Sequence, residues 1–385
     1  MTRSRPSPRI AVLHLGRNGG GPKFTLALAT ALHDAGAPVV GVVSAYADNL
    51  AGFRALGPVL ALRTFRSALG AIGRAPVMVL HALRLRRFLA AHRVDVVVVS
   101  MEQIWQAPIL AMAGRGRRRM LLCVHDAAMH PGQFNHAENL LLNLHRALAD
   151  GAMTFSNHVA TTLESTGRFD RSRIWRSVHA AYGTVGDSPR PAPDAEVPTV
   201  GFFGRLSAYK GLGLAYDAVE LLRRSGRRVR FSVVGNGEDP ALDRMVHEDD
   251  RVEVRWLDDE QIPAALDSFD VLLLPYLEAS QSGVFAYAMS RGVPMVVTPV
   301  GGLLEQAEGT GAAAIAADVS APAVAHALEA LLDDPARYGE LSAKGLAAAR
   351  DTYSWARTAD DVLVAAAALA DARRRAAPVA SPSRT

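Results

Sequence analysis

The sequence predicts an α/β protein in which two doubly wound, parallel-sheet domains face a central cleft. Short β-branched segments alternate with longer Ala- and Leu-rich segments along the chain, which is typical of βαβ units. Near the middle, residues 186–198 (GDSPRPAPDAEVP) contain four prolines, which lack the backbone donors that helices and strands need. Because 385 residues suffice for at least two domains, this segment is predicted to be a linker.

The β-branched segments place seven strands before the linker and five after it. The predicted strands are 10–15, 39–44, 59–62, 94–100, 120–125, 152–155, 174–179, 199–203, 229–234, 252–256, 271–274 and 295–298. The domain plan is a flexible tail at 1–8, an N-terminal domain at 9–185, the linker at 186–198, a C-terminal domain at 199–355, a last helix at 356–375 and a disordered tail at 376–385. Such sheets bind ligands beyond the carboxyl ends of their strands, so the loops after strands are the candidate sites.

The composition is that of a soluble globular protein, with 49% hydrophobic and 21% charged residues. The longest apolar runs have strand length and fall far short of the ~20 residues of a membrane-spanning helix, so no transmembrane segment is predicted. The basic N-terminus, MTRSRPSPR, lacks the cleavage pattern of a signal peptide. Cys123 is the single cysteine, which excludes an intrachain disulfide and a multi-cysteine metal site and favours a cytoplasmic location.

The net charge of +4 hides an asymmetry between the two halves. Residues 1–186 hold 22 basic and 9 acidic residues, a charge of +13, whereas residues 187–385 hold 20 basic and 29 acidic residues, a charge of −9. Eight arginines and no acidic residue lie between Asp48 and Asp95. This segment favours an anionic partner such as a membrane surface, and the alternative is that arginine is the solvated residue of a GC-rich genome. Nucleic-acid binding is not predicted, since aromatic residues for base stacking are not interleaved with the arginines.

The first candidate loop follows the strand at 10–15 and reads GRNGGGPKF. Gly19, Gly20 and Gly21 let the backbone approach a ligand, and Pro22 suits the first turn of a helix whose free amides attract anionic oxygen. The glycine spacing differs from a dinucleotide-binding fingerprint. The alternative is a plain turn from strand to helix.

The second loop, GFFGRLSAYKG, begins at Gly201 and leads into an amphipathic helix. Gly204 permits close approach of a ligand, and Arg205 and Lys210 lie five residues apart. Two cations near one helix N-terminus can clamp a diphosphate, Arg through its planar fork and Lys as a point charge. The alternative is a pair of surface cations on a turn.

The third region, LLLPYLEASQSGVFAYAMSRGVP, contains the buried strand at 271–274. Ser280 or Ser282 can cap the helix that follows, and the first amides of that helix would attract a phosphate. Glu278 lies at the mouth of the loop, where it can accept hydrogen bonds from sugar hydroxyls. An ordinary helix entry explains the serine but not the flanking glycines and prolines.

The loop VHDAAMHPG, after the strand at 120–125, carries His125, Asp126 and His130. Imidazole and carboxylate groups serve general acid–base catalysis or the recognition of acceptor hydroxyls. The spacing, which continues to His136, matches no usual zinc pattern, so no metal site is predicted. Buried, hydrogen-bonded histidines are the structural alternative.

In this order, the motifs resemble those of the retaining glycosyltransferases of the GT-B fold, the large family that includes sucrose synthase-like enzymes and bacterial mannosyl- and glucosyltransferases. The resemblance runs through GGGPKFT, VHDAAMHPG, ALADGAMTFSNHVATTL, GFFGRLSAYKG, VVGNGED, PVGGLLEQ and YSWARTADDVL. It implies two Rossmann-like domains and the transfer of a sugar from a nucleotide diphospho-sugar, bound mainly by the C-terminal domain, to a hydroxyl of an acceptor on the N-terminal domain.

The resemblance also implies roles for individual residues. Arg205 and Lys210 match the pair that binds the donor diphosphate, and His125 matches a histidine near the donor sugar. Trp355 matches the aromatic residue before a last helix that crosses back to the N-terminal domain. The candidate catalytic residues are Arg205, Lys210, His125 and Glu278. The other assignments are Gly20, Gly21, Gly204, Gly235, Gly237 and Leu257 to the donor, and Gly19, Asp126 and His130 to the acceptor.

One departure concerns two glutamates of the family, whose positions are Ala279 and Tyr287 here, with Glu278 one residue early. The segment 280–283 resembles instead a variant subgroup that reads Thr/Ser-Gln-Ser-Gly-Val. The donor segment in this chain is Ser280, Gln281, Ser282, Gly283 and Val284. Its backbone amides can hold a phosphate, since that role needs no side chain. Tyr287 stays assigned to donor binding, but the ribose contact of the second glutamate is not carried over.

The resemblance implies retention of anomeric configuration, with the site assembled by closure at the 186–198 linker. No cofactor and no divalent metal are expected, since the sequence contains no Asp-x-Asp motif. The expected partners are the donor and a saccharide, lipid-linked or small-molecule acceptor, in polysaccharide or glycoconjugate synthesis in the cytoplasm or at the inner face of the membrane.

Other functions stay open at this point. A non-catalytic nucleotide-sugar binding protein is favoured by Ala279 and Tyr287. A nucleotide-sugar epimerase of similar fold would need acid–base residues in the C-terminal domain, where none is identified. A nicotinamide-dependent oxidoreductase is disfavoured, because neither glycine loop has the required fingerprint.

Overall fold

The structure, a computed structural model, describes residues 7–64, 75–103, 105–114, 116, 118–127, 136–194 and 196–376. In the N-terminal domain these ranges contain the strands β1 (Ile10–His14), β2 (Val39–Ser44), β3 (Val59–Leu62), β4 (Val96–Val99), β5 (Arg119–Val124), β6 (Gly151–Thr154) and β7 (Ile174–Arg176). The helices of this domain are α1 (Gly20–Asp34), α2 (Leu50–Leu56), α3 (Ala75–Ala91), α4 (Gln106–Ala113), α5 (His136–Leu148) and α6 (Asn157–Ser165).

The C-terminal domain follows the same plan. Its strands are β8 (Thr199–Leu206), β9 (Arg230–Gly237), β10 (Arg251–Val254), β11 (Val271–Leu274), β12 (Met295–Val297) and β13 (Ala313–Ile315). The helices that follow are α7 (Leu212–Arg224), α8 (Ile262–Asp267), α9 (Gly283–Ser290), α10 (Gly301–Thr310), α11 (Ala321–Leu332), α12 (Pro335–Arg350) and α13 (Trp355–Ala376).

All described strand pairs in the two sheets are parallel, with the orders β3-β2-β1-β4-β5-β6-β7 and β10-β9-β8-β11-β12-β13. The prediction of two parallel-sheet α/β domains is therefore confirmed. In each sheet the order reverses once, between β1 and β4 and between β8 and β11. At such a switch point neighbouring loops leave in opposite directions and open a crevice, which is where these folds bind ligands.

The predicted strands are all present, and the differences lie at their ends. Strand β9 continues to Gly237, beyond the predicted end at 234, because it stays paired with β8 through Gly204 and Leu206. The edge strand β13 was not predicted, since three residues reading AAI carry almost no β-branched signal.

Helices cover both faces of each sheet. Apolar residues of α1, α2 and α13 pack on one face of the N-terminal sheet, with Cys123 in the same core, and those of α3, α4 and α6 pack on the other. In the C-terminal domain, α8, α9 and α10 cover one face and α7 and α11 the other. Helix α13 thus follows the C-terminal domain in the sequence but packs on the N-terminal domain.

The chain passes between the domains earlier than the predicted linker. Gly186 N donates to Ser290 O, and Arg190 pairs with Asp267 and donates to Arg291 O, so residues 186–190 are held by the C-terminal domain. The crossing lies instead at residues 177–185, next to the return crossing at Tyr353, whose carbonyl accepts from Ala181 N. The prolines mark a segment without regular structure, and Arg190 anchors that segment to the C-terminal domain, so the chain crosses between the domains at 177–185.

In the part of the chain that the structure describes, no helix has both the length and the apolar character to cross a membrane. The arginine-rich stretch is only partly visible, since Arg66 and Arg74 lie outside the described residues. On α3 the side chains of Arg84, Arg86 and Arg87 are exposed, beside Leu80 and Leu83, which are 59% and 45% exposed. The two predicted tails also lie largely outside the described residues, in 1–6 and 377–385.

Candidate active site

A cavity of about 360 Å³ lies between the domains, at the carboxyl ends of both sheets. It adjoins the two switch points, as the strand orders require. Loops predicted from the sequence supply much of its wall. The predicted residues that line it are Gly20, Gly204, Arg205, Lys210, Gly235, Leu257, Gly283, Val284 and Tyr287.

Lys210 is the buried cation of this wall, with 8% of its surface exposed. Its Nζ donates to the hydroxyl of Tyr276 at 2.5 Å and lies 4.0 Å above the centre of that ring. Burial lowers the pKa of Lys210 to about 8, with nearby Arg205 acting in the same direction and Tyr209 opposing it. Lys210 therefore carries a charge at pH 7 with few protein partners to neutralise it, so an anion in the cavity would be strongly attracted.

Arg205 is exposed at the rim of the same cavity, at the second-last residue of strand β8. Within the described chain it forms no ion pair, so its guanidinium is available to a ligand. Lys23 and Arg255 also line the cavity, but Lys23 pairs with Asp259 and Arg255 pairs with Glu253. None of the described lining residues is acidic, so the charges of Lys210 and Arg205 favour an anion in the cavity.

The first turn of α9 also lies at the cavity wall. Ser282 caps the helix, because its Oγ accepts from Phe285 N at 3.2 Å, and its own amide donates to Oε1 of Gln306 at 2.7 Å. The serine hydroxyl also meets the hydroxyl of Tyr276 at 3.0 Å. Tyr276 thus joins Lys210 to the helix N-terminus, and the amides of Gly283 and Val284 remain at the cavity wall as donors for an anionic oxygen.

Glycines shape the floor where β8 and β9 run side by side. A Cβ at Gly235 would lie 1.8 Å from the carbonyl oxygen of Gly204, and one at Gly237 would lie 2.5 Å from that of Leu206. Only glycine allows this close approach of two backbones. The opposite wall is aromatic, with Trp256 near the first glycine loop and Lys23 5.9 Å from its ring centre.

His125 is buried and does not line the cavity. Its Nε2 lies 2.9 Å from the carbonyl oxygen of Ser100, and its Nδ1 lies 2.8 Å from Nε2 of Gln281. Because a carbonyl only accepts, Nε2 carries the proton and Nδ1 accepts from the glutamine amide. Burial lowers the pKa of His125, which keeps the ring neutral. His125 therefore joins the two domains through Gln281 and does not face the cavity.

A second set of contacts holds the domains together beside Gln281. The carboxylate of Glu305, on α10, accepts from the amides of Asn157 and His158 at 2.6 and 2.5 Å, at the N-terminus of α6. Ser156 Oγ donates to Ser280 O at 2.9 Å. Because Ser280 precedes the first turn of α9, this contact between the domains holds the segment that leads into that turn.

Several predicted residues lie outside the cavity lining. Gly21 is buried under the first loop, Glu278 and Gln281 are half-buried, and Asp126 is exposed. Gly19, Gly237, Ser280 and Ser282 are not among the residues that line the cavity, and His130 lies outside the described residues. Among the described residues, no group of three His, Cys, Asp or Glu side chains could hold a metal ion.

Sequence reasoning missed Tyr276, Glu305 and Tyr182. Tyr276 follows a proline at a strand end, which is a signal that could have been used. Tyr182 lies in the crossing segment and stacks on Tyr287, with ring centres 4.7 Å apart. Nothing in its sequence context separates it from a core tyrosine.

Two parallel-sheet α/β domains that face a cleft are the architecture of GT-B glycosyltransferases. Residues 19–174 match the family model described as "Glycosyl transferase 4-like domain", and residues 197–334 match "Glycosyl transferases group 1". Together these matches cover more than half of the chain, one in each domain. The chain therefore belongs to the glycosyltransferases that combine these two domains.

Among relatives, it is 34% identical over 149 residues to 2-deoxystreptamine glucosyltransferase of Streptomyces kanamyceticus, covering 37% of this chain and 38% of that protein. It is 24% identical over 201 residues to alpha-D-kanosaminyltransferase of the same organism, covering 49% and 52%. The chain thus spans about half or less of the length of these curated relatives. HepE of Anabaena, solved in complex with UDP-glucose, has the same fold, with a TM-score of 0.70 and 16% identity over 94% of this chain and 100% of that one.

Proposed function

We propose that the protein transfers a sugar from a nucleotide diphospho-sugar to a hydroxyl group of an acceptor, with retention of anomeric configuration and without a divalent metal or a cofactor. One observation carries the proposal. Lys210, Arg205 and the first amides of α9 converge on one cavity whose described lining contains no acidic residue. A diphosphate is the ligand whose charge and size fit this set of donors.

The same groups account for catalysis. When the bond from the anomeric carbon to the diphosphate breaks, negative charge grows on the leaving oxygen. Fixed positive groups that already point at this oxygen stabilise the transition state by several kcal/mol, commonly about 3 for one donor. Arg205 and Lys210 take the part that a metal ion plays in other sites. The acceptor hydroxyl attacks on the face from which the diphosphate departs.

The acceptor is expected on the N-terminal side of the cavity, near Gly19, Gly20 and Asp126. The name of the S. kanamyceticus relative gives 2-deoxystreptamine as its acceptor. We therefore propose a small polyhydroxylated molecule or saccharide as the acceptor class, with 2-deoxystreptamine as the first compound to test. A lipid-linked saccharide is the second compound class to test, because exposed leucines and arginines on α3 suggest contact with a membrane.

Donor binding and transfer can be tested with the purified chain and the glucose conjugates of UDP, GDP, ADP and dTDP. At least one is expected to raise the melting temperature, and the same donor with 2-deoxystreptamine is expected to give a glycosylated product by mass spectrometry. Arg205→Ala should lower turnover at least about tenfold, since it removes a charged hydrogen bond. Arg337→Ala, an exposed arginine paired with Glu340, is the matched control and should leave turnover unchanged.

The outcomes separate the alternatives. Donor binding with neither transfer to any acceptor tried nor slow hydrolysis would contradict the enzyme and favour a nucleotide-sugar binding protein. Conversion of the donor sugar to its epimer would favour an epimerase. Failure of all four donors to bind would overturn the assignment of the cavity.

We also propose that the N-terminal domain contacts an anionic membrane at the inner face through α3, whose exposed Leu80 and Leu83 lie beside Arg84 and Arg87. The chain is expected to float with vesicles that contain phosphatidylglycerol more than with neutral vesicles. Leu80→Glu with Leu83→Glu should abolish this difference. Leu221→Glu, an exposed leucine on α7, is the control. Equal recovery with both vesicle types would rule out the membrane contact.

A further inference from the structure

Tyr287 faces the donor cavity one helical turn beyond the amides that are proposed to bind the diphosphate. It follows Gly283 by four residues, and both line the cavity. An α-helix rises 1.5 Å per residue, so Tyr287 lies about 6 Å along α9 from its first amides and on the same face. In a nucleotide the pentose follows the α-phosphate directly, at about this distance. If a diphosphate occupies the helix N-terminus, Tyr287 therefore faces the pentose.

The Tyr287 side chain is held firmly but keeps an unused hydroxyl. Its ring stacks on Tyr182 at an interplanar angle of 21°, and the carbonyl of Tyr182 accepts from Ser290 Oγ at 2.6 Å. Within the described chain, no hydrogen-bond partner reaches the Tyr287 hydroxyl. Burial raises the pKa of Tyr287 to about 12, so the group is a neutral phenol at pH 7. It offers a ligand one donor and one acceptor.

A neutral hydroxyl discriminates differently from a carboxylate at such a position. A buried carboxylate that pairs with a ribose hydroxyl would be left charged and unpaired when that hydroxyl is missing, which strongly disfavours the deoxy ligand. A phenol loses much less, because no charge is stranded. No described lining residue supplies a carboxylate in its place.

We propose that Tyr287 makes this site tolerant of the pentose, so that 2′-deoxyribonucleoside and ribonucleoside diphosphates bind with similar affinity. The inference rests on the proposed function, since it needs a nucleoside diphosphate in the cavity. Tyr287 is then a specificity-determining residue for the donor. The donor class widens from ribonucleotide sugars to include deoxyribonucleotide sugars.

Calorimetry with the full chain tests this through matched pairs of probes, which are UDP, GDP and ADP with their 2′-deoxy counterparts. For the base that binds best, the two dissociation constants should agree within about threefold. Tyr287→Glu should raise the preference for the ribonucleotide to tenfold or more. Tyr287→Phe should weaken the binding of both ligands equally, so the ratio of their dissociation constants should stay near one. This variant also provides a test if Tyr287→Glu fails to fold.

The results distinguish this inference from the proposed function. If the wild-type chain binds a ribonucleotide more than tenfold better than its 2′-deoxy form, the pentose tolerance is overturned while donor binding stands. If Tyr287→Phe changes the ratio strongly, the phenol is itself selective and the argument fails. If none of the six nucleotides binds, the proposed function fails and this inference fails with it.

Discussion

Replacement of Lys210 by Met is expected to lower kcat/KM for sugar transfer by about 10²- to 10³-fold. Lys210 is the buried cation of the described cavity wall, and its Nζ is fixed by the hydroxyl of Tyr276. Removing one prepositioned charge from the leaving group typically costs about 10² to 10³ in rate. Methionine keeps the length of the apolar stem, so packing against the Tyr276 ring is largely retained. The measurement is nucleotide release at saturating acceptor.

The pH dependence of donor binding provides a second readout of the same residue. Because the pKa of Lys210 is lowered to about 8, the free protein loses this charge as the pH rises through 8. Affinity for a nucleotide diphospho-sugar should therefore be constant below pH 7 and fall by up to about tenfold per pH unit above pH 8, since a bound anion raises the lysine pKa. The Lys210→Met variant should bind weakly and show no such fall between pH 7 and 9.

A matched variant controls for the loss of a lysine as such. Lys344 lies on α12, where it pairs with Glu340, far from the cavity lining. Lys344→Met should leave both turnover and the pH profile unchanged. If Lys210→Met kept turnover within threefold of the wild type, the assignment of the diphosphate clamp would be wrong.

The fold was predictable because its signal is local and repeated. Runs such as 96–99 (VVVV) and 271–274 (VLLL) are buried on both faces of a parallel sheet, so they appear as continuous apolar segments. The edge strand Ala313–Ile315 needs only one partner, β12, and three residues carry too little pattern to mark it. The crossing at 177–185 could not be predicted for a similar reason, since the prolines are visible in the sequence but the tertiary anchor at Arg190 is not.

The candidate site was predictable where function depends on backbone shape and loop position. Gly204 and Gly235 lie near the carboxyl ends of β8 and β9, and Lys210 follows β8. A parallel sheet brings such strand ends together. The pairing of His125 with Gln281 could not be predicted, because those residues lie in different domains, 156 positions apart in the sequence. Tyr276 was missed because a buried tyrosine at a strand end looks like core until its hydroxyl partners are known.

The domain interface leads to the second large effect, which is expected for Gly302→Ala. Gly302 lies in the first turn of α10, and a Cβ there would stand 1.7 Å from the carbonyl oxygen of Ser280 and 3.0 Å from the Cβ of Ser156. Neither neighbour can move at low energetic cost. The contact at Ser280 is with its backbone carbonyl, in the segment that leads into α9, and Ser156 caps α6 in the other domain. Overpacking of this kind costs about 3 kcal/mol. The melting temperature should therefore fall by several degrees.

The variant Gly339→Ala is a control that separates this steric effect from the change of glycine to alanine as such. Gly339 lies inside α12, and a Cβ there would meet no atom within 4 Å. Gly339→Ala should therefore raise the free energy of unfolding by about 0.5–1 kcal/mol, because alanine is the better helix former. Since the added methyl group of Gly302→Ala would also press on Ser280, which leads into α9, this variant should show a weaker donor-induced rise in melting temperature, whereas Gly339→Ala should show the full rise. Equal melting temperatures and equal donor responses for the two variants would mean that the contacts of Ser156 and Glu305 do not set the geometry of the cavity.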